Sequence, residues 1–361
     1  MSNIWGQLAL KIKDWGHELG FAQIGIADID LEEPKTHYLQ WIKKGFHGEM
    51  HYMVKHGSRR YKPDELVPHT IRVITARLNY QPQAKDAESI LQNDQKAFIS
   101  RYALGRDYHK VMRAKLKKLS TKIEKEVYES LHQEIHFRVF VDSAPVMEVE
   151  LAEKSGLGWR GKHTLLLNKE HGSWFFLGEI YINLPLPIDR RGENHCGTCK
   201  SCIDVCPTQA IIAPYQLDAR KCISYLTIEH TSSIPEIYRK QIGNRVYGCD
   251  DCQLYCPWNK FGQTTKEDDF KVRHGLDDIE LITCFSWSED EFKAHMEGSA
   301  ILRIGYERWL RNIAIGLGNA RTTKAIINIL NFCVSSIGKI SRFTKNIQCH
   351  RTIFIFWFLW S

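Results

Sequence analysis

Residues 1–30 of this chain contain no basic segment leading into an apolar core and a cleavage site, so export is not expected and a cytoplasmic location is. Long hydrophobic runs are also missing. The apolar final stretch, Ile353–Trp360, is eight residues long, whereas crossing a bilayer takes about 20, so no membrane partner is expected. Left exposed, that aromatic tail would be an aggregation liability. No low-complexity linker divides the 361 residues, so contacts between the parts should be extensive. Nor is charge extreme: a formal +7 does not by itself demand a polyanionic partner.

What is present is more specific. A length of 361 residues implies two or three domains, and 43% hydrophobic residues is ordinary for a globular protein. Charge is unevenly placed, with nine Lys or Arg against three Asp or Glu between Arg101 and Val127. Such a face suits phosphate contacts, or is simply a solvated helix face.

Eleven cysteines carry the strongest signal. Cys196, Cys199, Cys202 and Cys206 precede Pro207 at the bacterial ferredoxin spacing, and Cys222, Cys249, Cys252 and Cys256 complete a set of eight. Eight thiolates suffice for two [4Fe–4S] clusters, and in this motif the fourth cysteine ligates the other cluster. Cluster 1 is therefore expected on Cys196, Cys199, Cys202 and Cys256, and cluster 2 on Cys206, Cys222, Cys249 and Cys252. Disulfides would need an oxidising compartment. Structural zinc prefers two separated Cys-x2-Cys pairs, without the extra cysteine that here stands before a proline in each run. Cys284, Cys333 and Cys349 read as small buried hydrophobes.

Periodicity gives a three-part organisation. Leu8, Ile12, Trp15 and Leu19 mark one face of an N-terminal helix, and strands are expected at Phe21–Ala27, Arg72–Tyr80 and Phe137–Val141. Met112, Leu116, Leu119, Ile123 and Val127 recur at spacings of four, three, four and four, which makes the basic segment an amphipathic helix. Thr164–Leu167 and Trp174–Asn183 are expected as two strands joined by a turn at His171-Gly172. The expected fold class is α+β, with an α/β domain over 1–190, a ferredoxin-like two-cluster module over 191–265, and a helical segment over 266–361 with a weak repeat character.

Two motifs invite overreading. Gly156-Leu-Gly158-Trp-Arg-Gly161 matches G-x-G-x-x-G, but it follows a helix-like stretch and precedes a strand-like one, the reverse of a dinucleotide site. The glycines fit either a loop lining a flat ligand or a plain turn. Asp107-Tyr108-His109 opens the Asp-x-His-x-x-Gly pattern that supplies an axial imidazole to cobalamin, yet position 112 is Met, so His109 is not expected to ligate cobalt. Asp142 ends an apolar strand and enters Ser143-Ala144-Pro145. Partial desolvation there would raise its pKa and make it a proton donor near neutral pH, the alternative being an ordinary turn or cap aspartate.

Several blocks together resemble the epoxyqueuosine reductase family: Phe137–Asp142, Glu153–Trp159, Leu177–Ile180, Cys196–Pro207, Arg220–Leu226 and Ile242–Asp250. The resemblance runs to about residue 330 and implies a cobalamin-dependent oxidoreductase with two [4Fe–4S] clusters, acting in the last step of queuosine synthesis on the wobble nucleoside of tRNA. It implies that the N-terminal domain holds cobalamin against Arg60, Ser100, Asp142, Leu166, Leu177, Ser224, Cys249 and Asp250, with no histidine on the cobalt. Asp142 would protonate the departing epoxide oxygen. Electrons from an external donor would pass through cluster 2, then cluster 1, to cobalt. The partners implied are the tRNA anticodon stem-loop and that donor, and a monomer is expected. Family members continue after Arg311–Asn319 into a HEAT-like helical-repeat domain, where this sequence turns to its aromatic tail, so part of the RNA-contacting surface is expected to differ. A reductive dehalogenase would share the cofactors but has no use for a polyanion-binding face. A ferredoxin-type carrier would leave the first 190 residues without a role.

Overall fold

The computed structural model describes residues 2–329; the tail at 353–360 and any further repeat units lie outside the described residues. The N-terminal unit is built on four antiparallel strands, β1 (Gln23–Ala27), β2 (Arg72–Asn79), β4 (Phe137–Phe140) and β7 (Phe175–Ile182), in the order β1-β2-β7-β4. β7 is central and buried along its whole length. Its two faces do different things, because side chains alternate along a strand. Phe176, Ile180 and Ile182 join the main core with Ile74, Ala76 and Leu78 of β2. Phe175 and Leu177 face the opposite way, into a large cavity.

The main core is closed by the Ser2–Glu18 and Tyr108–Leu131 helices. The predicted stripe is realised in full: Met112, Leu116, Leu119, Ile123 and Val127 are all completely buried. Each contributes roughly 1.5–3 kcal/mol by leaving water. The helix begins at an N-cap, Asp107, whose side chain accepts from the His109 backbone N–H.

The expected 164–183 hairpin does not form. β6 (Leu166–Leu167) pairs instead with β5 (Trp159–Arg160), while β7 pairs with β2 and β4, leaving a single bridge between Asn168 and Gly172. The glycine-rich loop connects the Glu148–Lys154 helix to β5. Its glycines serve close backbone packing: a Cβ on Gly158 would lie 1.9 Å from the Leu167 carbonyl oxygen.

The remaining parts are interleaved with the first. Between the cysteine runs, β8 (Ile211–Ala213) and β9 (Gln216–Leu217) form a small antiparallel pair. β3 (Phe98–Ile99) pairs in parallel with β10 (Arg245–Tyr247), which follows the first cysteine run. Ala97, Ile99, Ala103 and Leu104 share a core with Val246, Tyr247 and the C-terminal helices Leu281–Ser286, Glu289–Met296 and Gly305–Asn319. Asn312 ties these elements together, its amide donating to the Thr227 and Val246 carbonyls. Among the described residues no helix is long and apolar enough to cross a membrane.

Candidate active site and cluster-binding cavities

The eight cysteines fall into two groups in space. A cavity of about 310 Å³ is lined by Cys196, Cys199, Cys202 and Cys256. A second, of about 360 Å³, has Cys206, Cys222, Cys249 and Cys252 in its wall. The grouping follows the crossed pattern, because each proline turn sends the last thiol of its run toward the other group. All eight are free thiols. Burial and nearby negative charge push Cys202 up to about 11 and hold Cys249 and Cys252 well above the ordinary thiol value, so iron would be needed to keep such thiols ionised together.

The second cavity also receives Asp142, Ser100, Leu166, Leu177, Ser224, Cys249 and Asp250. Arg60, the remaining residue implied by the resemblance, is not in its wall. Its guanidinium is buried and donates to the carbonyls of Tyr52, Met53 and Val146. Ser100 and the Arg101 backbone N–H both donate to Asp250, at 2.5 and 2.7 Å, while burial raises the Asp250 carboxyl to about 6. Asp142 shares its cavity with Cys206, Cys222, Cys249 and Cys252, not with the thiols expected to hold cluster 1.

Asp142 stands two residues beyond the end of β4, in a left-handed conformation with φ of 44°. Non-glycine residues seldom adopt it, and aspartate is among the few that tolerate it. The side chain is 49% exposed and faces the cavity. Tyr108 Oη donates to Asp142 Oδ2 at 2.5 Å, and His109 Nε2 lies 2.8 Å from the same oxygen. The Tyr108 ring is stacked on Phe176 of β7 and lies against His109, so both partners are fixed by the core. His109 Nδ1 meets Asp107 Oδ1 at 2.8 Å. Arg303, from the C-terminal part, reaches His109 Nε2 at 3.0 Å and Asp107 Oδ2 at 3.3 Å.

These contacts overturn the expected titration of Asp142. Burial does push its carboxyl upward, but the hydrogen bonds from His109 and Tyr108 outweigh it and hold the group below the usual range. Asp107 is likewise pushed up by burial and pulled down further by His109 and Arg303, to about 2. His109 is raised, the two carboxylates overcoming its burial. Glu148, in the same cavity wall, is raised to about 8 by burial and by the Asp142 charge. Glu179, on β7, is raised well above the ordinary value by burial and by the charges of Glu148 and Asp142, and neither of its carboxyl oxygens has a hydrogen-bond partner among the described residues. Asp107, Glu148, Glu179 and Arg303 were not singled out as site residues from the sequence. Only the cap position of Asp107, next to His109, could have signalled one of them.

The basic helix is less free than its composition suggests. Lys115 pairs with Glu267 and Lys122 with Glu18, whereas Lys110, Arg113, Lys117 and Lys118 are exposed and make no ion pair among the described residues. Arg308 and Arg311 are committed to main-chain carbonyls, including Ile228 and His230.

Two four-thiol cavities, one also lined by the half-exposed Asp142 carboxylate, define an iron–sulfur oxidoreductase. Residues 195–259 match the 4Fe-4S double cluster binding domain, and residues 60–143 match the family described as Epoxyqueuosine reductase QueG, DUF1730. The epoxyqueuosine reductase of Pseudomonas aeruginosa is 53% identical over 325 residues, covering 90% of this chain and 89% of the relative. That of Escherichia coli is 54% identical over 324 residues, covering 90% and 84%. A crystal structure of epoxyqueuosine reductase with a tRNA-Tyr epoxyqueuosine-modified stem loop superposes with a TM-score of 0.81 at 27% identity, over 90% of this chain and 84% of that one. A Bacillus subtilis epoxyqueuosine reductase, with its catalytic aspartate loop swung out of the active site, gives 0.78 at 26% identity, over 90% and 85%. The chain belongs to the epoxyqueuosine reductase family.

Proposed function

We propose that this protein reduces epoxyqueuosine at the wobble position of tRNA to queuosine, the last step in making that nucleoside. The observation that carries the reading is one cavity bordered at once by Asp142 and by Cys206, Cys222, Cys249 and Cys252. A carboxyl group and four thiols able to hold a cluster thus border the same cavity. The test is anaerobic incubation of reconstituted protein with epoxyqueuosine-containing tRNA and a reductant, followed by nucleoside analysis. Conversion to queuosine supports the reading, and intact epoxyqueuosine in the presence of full cluster and cobalamin content refutes it.

The cavity residues fit a flat, largely apolar ligand with polar edges. Leu166, Leu177, Phe175 and Val149 offer apolar wall, and Ser100, Ser224 and Asp250 offer polar groups. His109 Nε2 is committed to Asp142 and Arg303. His163 Nδ1 accepts from the Leu165 N–H, so a neutral ring carries its proton on Nε2, which has no hydrogen-bond partner among the described residues and is a donor, not an acceptor. Cobalamin held here without a histidine ligand, with a [4Fe–4S] cluster on each thiol set, would supply the two reducing electrons. Asp142 would protonate the departing oxygen, which avoids expelling a bare alkoxide into a low-dielectric site. The left-handed turn at Asp142 gives its loop one defined way to aim the carboxyl.

Lys110, Arg113, Lys117 and Lys118 supply a positive ridge on the helix whose first turn carries Tyr108 and His109, so phosphates bound there lie along a path to the cavity. The unpaired wobble base would enter the cavity as single-stranded RNA recognition requires. A cytoplasmic monomer served by an external electron donor suits that role, with 1–190 as the catalytic part, 191–265 as the cluster module and the described residues from 266 onward as a helical part.

A further inference from the structure

Asp142 poses a problem if it is the acid. Held as a carboxylate by two donors, it has no proton to give at rest. We propose that His109 holds the proton that Asp142 delivers, and that Asp107 and Arg303 set the imidazole for the handover. This rests on Asp142 being the proton donor to substrate.

The geometry around one nitrogen carries the case. His109 Nδ1 is assigned as the donor to the Asp107 carboxylate, 2.8 Å away. Nε2 then has two partners, Asp142 Oδ2 at 2.8 Å and Arg303 Nη1 at 3.0 Å. A protonated Nε2 donates to Asp142 and can accept nothing from Arg303. A deprotonated Nε2 accepts from Arg303, or from Asp142 in its acid form. The two contacts therefore match the two ends of a proton transfer, and Arg303 is in place to satisfy the lone pair that the departing proton leaves behind. Asp107 keeps the ring oriented in both states.

Ligand entry supplies the drive. Asp142 is 49% exposed to the cavity, so a ligand that displaces cavity water makes its charge costlier and draws the proton across from His109. The groups facing the pair leave this balance intact. Asp107 and Arg303 carry opposite charges. Tyr108 is pushed well above its ordinary value and stays neutral, while Glu148, Glu179 and Glu229 are all raised toward their neutral forms.

The reaction balances with this device. Two C–O bonds break and a C=C bond forms: the two electrons from the reductant go to the two carbons, and the oxygen, unchanged in oxidation state, leaves as water after taking two protons. The first proton moves from His109 through Asp142 to the oxygen. The second follows the same route once the ring has been recharged from solvent, which reaches the half-exposed side chains of Asp142 and Arg303.

The test uses full-length protein carrying both clusters and cobalamin, with an epoxyqueuosine-modified stem loop in single turnover across about pH 5–9. Wild type should lose rate only on the alkaline side of the ordinary histidine value. In His109→Gln the alkaline limb should move down by at least about one pH unit, with a rate at least about tenfold lower near neutrality that recovers toward wild type in acid. An unmoved limb overturns the proposal. So does a limb that moves in Glu148→Gln but not in His109→Gln, which would make Glu148 the reservoir. Near-normal turnover by Asp142→Asn would instead remove Asp142 as donor, whatever His109 does. Independently of turnover, ¹⁵N-histidine spectra of the full chain should show the His109 ring charged at neutral pH, titrating lower in Asp142→Asn. A ring that is neutral there overturns the proposal even if the glutamine variant fails to fold.

Discussion

Cys256 belongs to the second cysteine run, yet it lines the same cavity as Cys202 of the first, and the two thiols feel each other's charge. Cys256→Ala should therefore remove the cluster associated with Cys196, Cys199 and Cys202. Iron should fall from about eight to about four per chain. Loss of the other cluster, with this one intact, would overturn the crossed assignment; electron paramagnetic resonance of the reduced protein distinguishes the two.

Asp142→Asn keeps the shape of the side chain and tolerates the left-handed backbone, so cobalamin and both clusters should remain bound. Turnover of epoxyqueuosine-containing tRNA should fall by about 10²–10⁴ under conditions where chemistry limits the rate. Retained turnover would place the proton source elsewhere in the cavity.

Cob(II)alamin bound to the wild-type chain should show no nitrogen hyperfine splitting from His109, since both ring nitrogens are engaged by Asp107, Asp142 and Arg303. His109→Ala should leave that spectrum unchanged. A splitting that disappears in the variant would put the imidazole on cobalt.

Charge reversal at Lys110, Arg113, Lys117 and Lys118 should weaken tRNA binding and flatten its salt dependence, by about one unit of log–log slope for each phosphate that is no longer neutralised. Reversing Lys122 should do less, because it already pairs with Glu18. Filter binding at several salt concentrations reads both quantities. An unchanged slope moves the RNA surface off this helix.

Gly158→Ala should destabilise the protein by roughly 1–3 kcal/mol, since the new methyl meets the Leu167 carbonyl at 1.9 Å and the loop must shift. Thermal unfolding measures this directly. An unaltered midpoint would show that the loop has room to move.

Local pattern was legible wherever chemistry or packing repeats at a fixed interval. The Met112–Val127 stripe and the grouping of eight thiols follow from spacing alone. The 164–183 hairpin failed because the partners of Phe175–Ile182 are β2 and β4, and a strand buried on both faces shows no alternation to fix its pairing. The place of Asp142 just past a strand end was readable, but the direction of its titration was not. That depends on His109 and Tyr108, which adjoin it only in the folded chain. Likewise, counting lysines could not reveal that Lys115 and Lys122 meet glutamates far away in sequence.

The pairing of β3 with β10 bears on how the protein is made. A ribosome releases Phe98–Ile99 long before Arg245–Tyr247, so the early strand must wait unpaired, beside apolar Ala97, Ala103 and Leu104, until the first cysteine run and Cys222 have been synthesised. Closure of this seam is thus a late event in synthesis. A fragment ending before residue 245 would carry a bare strand edge, prone to self-association, rather than a usable cofactor domain.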